Sequence, residues 1–173
     1  MSYSFQLVET LLNRHKAQGF EMPFDEIYLT RLLQFTQDKM LIRLNNMFQK
    51  YKITNNHFLL FTAIRSTGKE GIQASTLSEM LNISRVQVSR FVEDLVKRQW
   101  IDRIQHPTDR RSQYLVVTQQ GHDFLNQVSP ALYDYVSKAW STISADEKTQ
   151  LKNILGRVLT QIEIIEEGAG NES

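Results

Sequence analysis

Ser84, Arg85, Val86, Gln87, Ser89 and Arg90 set two guanidinium groups, an amide and two hydroxyls close together in the chain. Those groups suit recognition of a nucleic acid. A guanidinium either reads guanine through two parallel bonds or holds a phosphate; an amide can read adenine. Val86 would meet a thymine methyl, or is simply a lone surface valine. Asp109, Arg110 and Arg111 form a second group. Two adjacent arginines in a hairpin loop cannot both lie along the sheet, so at least one projects. An arginine placed in a narrow minor groove gains from its concentrated negative potential. Asp109 is suited to brace that loop by pairing with an arginine. Lys97 and Arg103 border the same surface and suit phosphates. Ser75 and Thr76 would bind phosphate through their hydroxyls, or would serve only to cap a helix.

Catalysis finds little support. The sequence has no nucleophile elbow, phosphate loop or paired-carboxylate pattern. Its four histidines, His15, His57, His106 and His122, are widely separated and have no metal-ligand spacing. With no cysteine, disulfides, thiolate metal sites and thiol redox chemistry are excluded. The expectation is a protein that is not an enzyme and needs no metal or cofactor. His57 would line a pocket or be an ordinary, partly buried histidine.

The elements that position these groups follow from periodicity. Phe5, Leu7, Val8, Leu11 and Leu12 mark a short amphipathic arm, ending near Gly19 and Pro23. From about Phe24 to Tyr51, apolar residues recur every three or four positions, predicting a long helix. Thr54 or Asn55 would cap the next helix, which carries His57, Phe58, Leu59, Phe61 and Ile64. Two helices joined at Asn82-Ile83-Ser84 should follow, the first with Leu77, Met80 and Leu81 inward. Ser84 with Gln87 is a capping box that starts the second, which buries Val88, Phe91, Val92 and Leu95. Strand-like 100–104 and 113–118 then flank the turn His106-Pro107-Thr108-Asp109, giving a hairpin with a basic tip. A helix from about Gln119 to Ile143 and another begun by a Ser144/Glu147 box close the chain. The last carries Leu151, Ile154, Leu155, Val158, Leu159, Ile162 and Ile165 in a near-heptad stripe.

The fold expected is mainly α with a small β hairpin, a winged helix-turn-helix with N- and C-terminal dimerisation helices. Its boundaries are 1–52 for the arm and dimerisation helix, 53–119 for the DNA-binding domain, 120–167 for the C-terminal dimerisation helices and 168–173 for a frayed tail. A second copy would cover the end stripes, or they pack on their own domain. At 173 residues such a chain can bury a genuine core without staples. Net charge is only +1, yet residues 85–111 hold seven Arg or Lys against four Asp or Glu, a local +3. Charged residues interrupt the first twenty positions, and no apolar run approaches membrane length, so a cytoplasmic protein with no membrane partner is expected.

ASTLSEMLNISRVQVSRFVEDLVKRQWIDR (Ala74 to Arg103) and HPTDRRSQYLVVTQQG (His106 to Gly121) resemble the helix-turn-helix and wing of the multiple-antibiotic-resistance regulator family. The most specific part is Asp109-Arg110-Arg111, with Leu115, Thr118 and Gly121 behind it. PFDEIYLTRLLQF (Pro23 to Phe35), KRQWIDR and GHDFL resemble the branch that represses multidrug efflux pumps. The resemblance implies a homodimer on a palindromic double-stranded DNA operator, released by a small hydrophobic or aromatic effector. It puts the wing arginine at Arg111 and the bracing aspartate at Asp109. It also implies an effector cavity, for which Arg31, Phe35, Met40, Leu44, His57, Phe58, Phe61 and Trp140 are candidates, with core packing as the alternative for each. The alternative function is a winged-helix scaffold that binds protein rather than DNA. Two positions depart from the family pattern: Gln99 stands where glycine usually follows the recognition helix, and His106 replaces an acidic residue before the wing proline.

Overall fold

The sequence periodicity resolves into seven helices and a two-stranded sheet in a computed structural model that describes residues 3–105 and 113–170. Two compact units are distinguished, Met1–Gln127 and Val128–Ser173. The first contains α1 (Tyr3–Ala17), α2 (Phe24–Gln49), α3 (Asn55–Ser66), α4 (Ala74–Leu81), α5 (Arg85–Lys97), β1 (Ile101–Gln105) and β2 (Gln113–Val117). Helix α6 (Gln119–Ala139) begins there and continues into the second unit, which also holds α7 (Ala145–Gly170).

In the first unit, Phe5 anchors α1 on α2. It is 2% exposed and meets the Tyr28 and Phe35 rings edge-on at 5.4 and 5.5 Å. The core is built from α3 outward. Phe58, Leu60, Phe61 and Ile64 of α3 are buried, with Leu77 from α4 and Val88, Val92 and Leu95 from α5. Burying each such side chain contributes about 1.5–3 kcal/mol against the entropy of ordering the chain. Phe48 and Phe58 stack at 4.9 Å, closing the end of α2 on α3. Trp100 stacks on Phe124 at 3.8 Å and on Phe61 at 5.8 Å, while Tyr51 meets Phe124 edge-on at 5.3 Å.

The hairpin is antiparallel, in a register running from Ile101 opposite Val117 to Gln105 opposite Gln113. Its inner strand is paired on both sides. Ile72 N–H donates to the Leu115 carbonyl at 3.1 Å, and Leu115 N–H donates back at 2.9 Å. Gly71 permits that approach. Its φ is +71°, and a Cβ there would lie 2.8 Å from the Leu115 carbonyl oxygen. This one-residue third strand has no counterpart in the sequence expectations.

Three of those expectations are corrected. Met80 is 62% exposed rather than inward. The buried face of α4 centres on Leu77, Leu81 and Ser78, whose hydroxyl donates to the Ile83 carbonyl at 2.6 Å; Met80 is rotated off it. Helix α6 ends at Ala139, not near Ile143, and the chain turns before Ser144 opens α7. Helix α7 runs through Gly168 to Gly170, so the first three residues expected in a frayed tail are helical.

In the second unit the Ser144 N–H donates to Glu147 Oε2 at 2.6 Å and Glu147 N–H donates back to Ser144 Oγ at 3.2 Å. Hydrogen bonding to the carboxyl from the Ser144 N–H, and then from the Ser144 side chain, holds exposed Glu147 below the ordinary carboxylate range. Beyond this cap, Ile154, Val158, Leu159, Ile162, Ile164 and Ile165 are all exposed on α7. Pro130 lies inside α6 and has no N–H to donate.

Candidate nucleic-acid interface

Helices α4 and α5 pack on each other and on α3. The corner between them is made by Asn82 in the left-handed conformation (φ +49°), where its N–H returns to the Ser78 and Glu79 carbonyls. Asparagine tolerates this region better than most residues. Helix α5 then starts at Ser84 with a complete box. Gln87 N–H donates to Ser84 Oγ at 3.3 Å, while Ser84 N–H and Oγ donate to Gln87 Oε1 at 3.2 and 3.1 Å.

That start fixes the rotation of α5. Val88, Val92 and Leu95 turn into the core, so Ser84, Arg85, Val86, Gln87, Ser89 and Arg90 all stand exposed. Val86 is 62% exposed, leaving its branched face available for contact. Lys97 ends the helix and is exposed, as is Arg103 on β1. Among the described residues, Arg85, Arg90, Lys97 and Arg103 have no hydrogen bond or ion pair, so their charges face outward unneutralised. Ser75 and Thr76 are exposed on the first turn of α4, but neither is its N-cap. That position is Gln73, which gives no side-chain capping bond. His106, Asp109, Arg110 and Arg111 lie outside the described residues.

The far end of α5 carries a fastener absent from the sequence expectations. Arg98 Nε donates to Asp94 Oδ2 at 2.6 Å, and its two terminal nitrogens donate to the carbonyls of Tyr51 at 3.0 Å and Lys52 at 3.1 Å. Its guanidinium also lies 5.0 Å from the Trp100 ring centre. One side chain thus ties α5 to the α2–α3 link and the base of the hairpin. Asp94, four residues earlier, is a local partner, but the other two acceptors are distant backbone carbonyls, which leave no local sequence signal.

Gln99 closes α5 in the left-handed conformation, with φ +60°, despite carrying a side chain. Gln99 N–H donates to the Val96 carbonyl at 2.8 Å and Trp100 N–H to the Leu95 carbonyl at 3.0 Å. This is the paired closure usually made with glycine. Thr118 Oγ1 donates to the Gln99 carbonyl at 2.7 Å and accepts from Gly121 N–H at 3.0 Å. At Gly121 any Cβ would collide with the Trp100 carbonyl oxygen and come within 3.0 Å of the Phe61 ring. Thr118 and Gly121 therefore clamp the start of α6 to the end of α5.

Of the candidates for an effector cavity, Leu44, Phe58 and Phe61 are buried in the first unit's core. Phe35 packs on Phe5, Met40 is half-buried, and exposed Arg31 donates to Gln34 at 3.1 Å. Trp140 belongs to the second unit and is half-buried. His57 has a local structural task. Its Nδ1 accepts from Thr54 N–H at 3.2 Å and its own N–H donates to Thr54 Oγ1, completing the α3 capping box. Because a backbone N–H can only donate, Nδ1 is unprotonated and the ring proton sits on Nε2, 3.9 Å from Asp94. Burial holds the imidazole below the ordinary histidine range; Asp94 raises it and Arg98 lowers it. Among the described residues no three metal-binding side chains cluster, and no helix is long and apolar enough to cross a membrane.

A sequence profile described as the MarR family matches residues 53–113. Over 167 residues the chain is 34% identical to the transcriptional repressor MprA of Escherichia coli K12, covering 96% of this chain and 95% of the relative. It is 27% identical over 138 residues to the multiple antibiotic resistance protein MarR of Salmonella typhimurium, covering 79% and 94%. Among solved structures it resembles a mutant E. coli MarR complexed with operator DNA, with TM-score 0.67 and 26% identity, covering 80% of this chain and 99% of that one. An S. aureus MepR–DNA complex shares the fold at TM-score 0.69 and 17% identity, covering 76% and 96%.

Proposed function

The chain belongs to the MarR family of DNA-binding transcriptional regulators, and on that premise we propose a dimeric repressor that grips a palindromic operator and releases it when a small hydrophobic or aromatic compound binds. It is a regulator rather than an enzyme. The observation that carries the proposal is the exposed row Arg85, Val86, Gln87, Ser89 and Arg90 on the first turns of α5, whose arginines have no partner among the described residues. A recognition helix enters the major groove with these turns foremost. Arg85, Arg90 and Gln87 would meet base edges or phosphates, and Val86 a thymine methyl. Ser75, Thr76, Lys97 and Arg103 would hold the backbone, and Arg110 and Arg111 of the wing, braced by Asp109, would enter the minor groove.

Repression is supported by similarity to the repressor MprA, and operator binding by likeness to the MarR complex with operator DNA. Dimerisation is supported by the exposed apolar residues of α7 in the second unit and, separately, by exposed Leu7 and Leu11 on α1 in the first. A two-fold dimer would address half-sites about 34–36 Å apart. Regulation of multidrug efflux or stress genes, in the cytoplasm, is part of the proposal and rests on the resemblance of Pro23 to Phe35, KRQWIDR and GHDFL to efflux-pump repressors.

Sedimentation and gel shifts on DNA recovered by genome-wide mapping test this reading. The expected result is a dimer whose affinity falls steeply with salt and collapses in Arg111→Ala, with release by aromatic compounds. A monomer that ignores duplex DNA would overturn it.

A further inference from the structure

We infer that Gln87 reads the operator only as a hydrogen-bond donor, because the α5 capping box consumes its carbonyl oxygen. This rests on the DNA-binding reading above and adds the chemical sense of one contact. The amide orientation is set by its partner. Ser84 N–H can only donate, so the Gln87 atom facing it at 3.2 Å is the oxygen. Ser84 Oγ spends its proton on that oxygen at 3.1 Å and receives Gln87 N–H at 3.3 Å. Both acceptor positions of Oε1 are then filled. The Nε2 amino group has no partner among the described residues, and the side chain is exposed.

Two-point recognition of adenine needs the amide oxygen to accept from N6 while the nitrogen donates to N7. With the box intact, that oxygen is committed. Nε2 can donate to guanine O6 or N7, or to thymine O4; it reaches adenine only at N7, which guanine also offers. Cytosine presents a donor and is disfavoured. Ser84, its hydroxyl proton already given, cannot donate to a phosphate, and its part is to hold Gln87.

The chain contains its own control. In α7 the same box is built with a carboxylate, Glu147, accepting from Ser144 N–H at 2.6 Å. Gln87→Glu should therefore keep the helix start while replacing the outward donor with an acceptor. Wild type and this variant would each be offered randomised duplexes and the bound pool sequenced, with thermal melting confirming that both fold. The expected result is one position per half-site where wild type selects guanine or thymine, with adenine never above guanine. At that position Gln87→Glu should move to cytosine, whose N4 donates, and should bind the wild-type site about tenfold more weakly, within the range for one mismatched pair. Gln87→Ala should lose the preference without gaining another.

Selection of adenine over guanine by wild type, abolished in Gln87→Ala, would show that the oxygen turns outward and would overturn the donor assignment alone. Unchanged preferences in both variants would remove Gln87 from base reading. Failure of wild type to enrich any sequence would instead sink the DNA-binding reading, and this inference with it.

Discussion

Arg98→Met should loosen the recognition helix from the α2–α3 link while keeping an apolar stem against Trp100. The substitution removes two charge-assisted bonds to the Tyr51 and Lys52 carbonyls, an ion pair with Asp94 and a ring contact at 5.0 Å. Buried bonds of this kind contribute about 1.5–3 kcal/mol each. Here the Arg98 and Asp94 side chains are 26% and 34% exposed, so water replaces part of what is lost. Discounting the carbonyl bonds to about 1 kcal/mol each, and counting about 0.5 kcal/mol apiece for the exposed ion pair and ring contact, gives about 3 kcal/mol. For a chain this size that lowers Tm by about 6–12 °C. Urea unfolding followed by circular dichroism measures the loss directly. Arg98→Lys should recover less than half, since one ammonium cannot span all three acceptors in the same plane. Asp94→Asn should cost less than Arg98→Met because both carbonyl bonds survive. If Arg98→Met unfolds within about 0.5 kcal/mol of wild type, an ordinary surface value, the fastener is not a fastener.

Three further changes test neighbouring joints. Gly121→Ala should destabilise by about 3 kcal/mol by forcing the Trp100 carbonyl aside, measured in urea; stabilisation, as alanine's helix propensity alone would give, would contradict the close approach. Gln99→Gly should raise stability by about 1 kcal/mol, since glycine adopts the left-handed closure without the clash a Cβ brings, and a lower Tm would refute that account. Burial lowers the His57 pKa in the folded state, so as pH falls the unfolded state binds the proton first. The His57 contribution should be full above pH about 6.5 and decline as pH falls toward the depressed folded value. His57→Gln, which keeps an acceptor for Thr54 N–H, should flatten that slope between about pH 7.5 and 5.5, as read by melting in matched buffers.

Local codes were legible and long-range ones were not. The Ser84/Gln87 and Ser144/Glu147 boxes depend on residues three apart, so the sequence announced both helix starts. Thr54 builds a third box with His57, but histidine is outside the usual Glu/Gln pattern, so the spacing alone gives the ring no capping role. Ile72 pairs with Leu115 as a strand one residue long, too short to show alternation. Arg98 finds carbonyls 46 and 47 positions back, set by how the chain folds rather than by spacing. Met80 had the right character and spacing for an inward residue. The eight-residue helix instead turns its Leu77, Leu81 and Ser78 side inward, which leaves methionine facing out. At the interface, the exposed row of α5 follows from helical geometry once Val88, Val92 and Leu95 are assigned inward. The role of each amide atom needed the hydrogen bonds themselves.

The aromatic stack behind the hairpin also gives the protein its own optical reporter. There are only two tryptophans, Trp100 and Trp140. Trp100 is half-buried against Phe124 and Phe61, beside the Arg98 guanidinium and one residue past the left-handed turn. With Trp140→Phe in place, tryptophan emission, excited selectively over the six tyrosines, would come from this joint alone. Its emission maximum and quenching would then register, without an attached dye, any shift of the recognition helix against the start of α6.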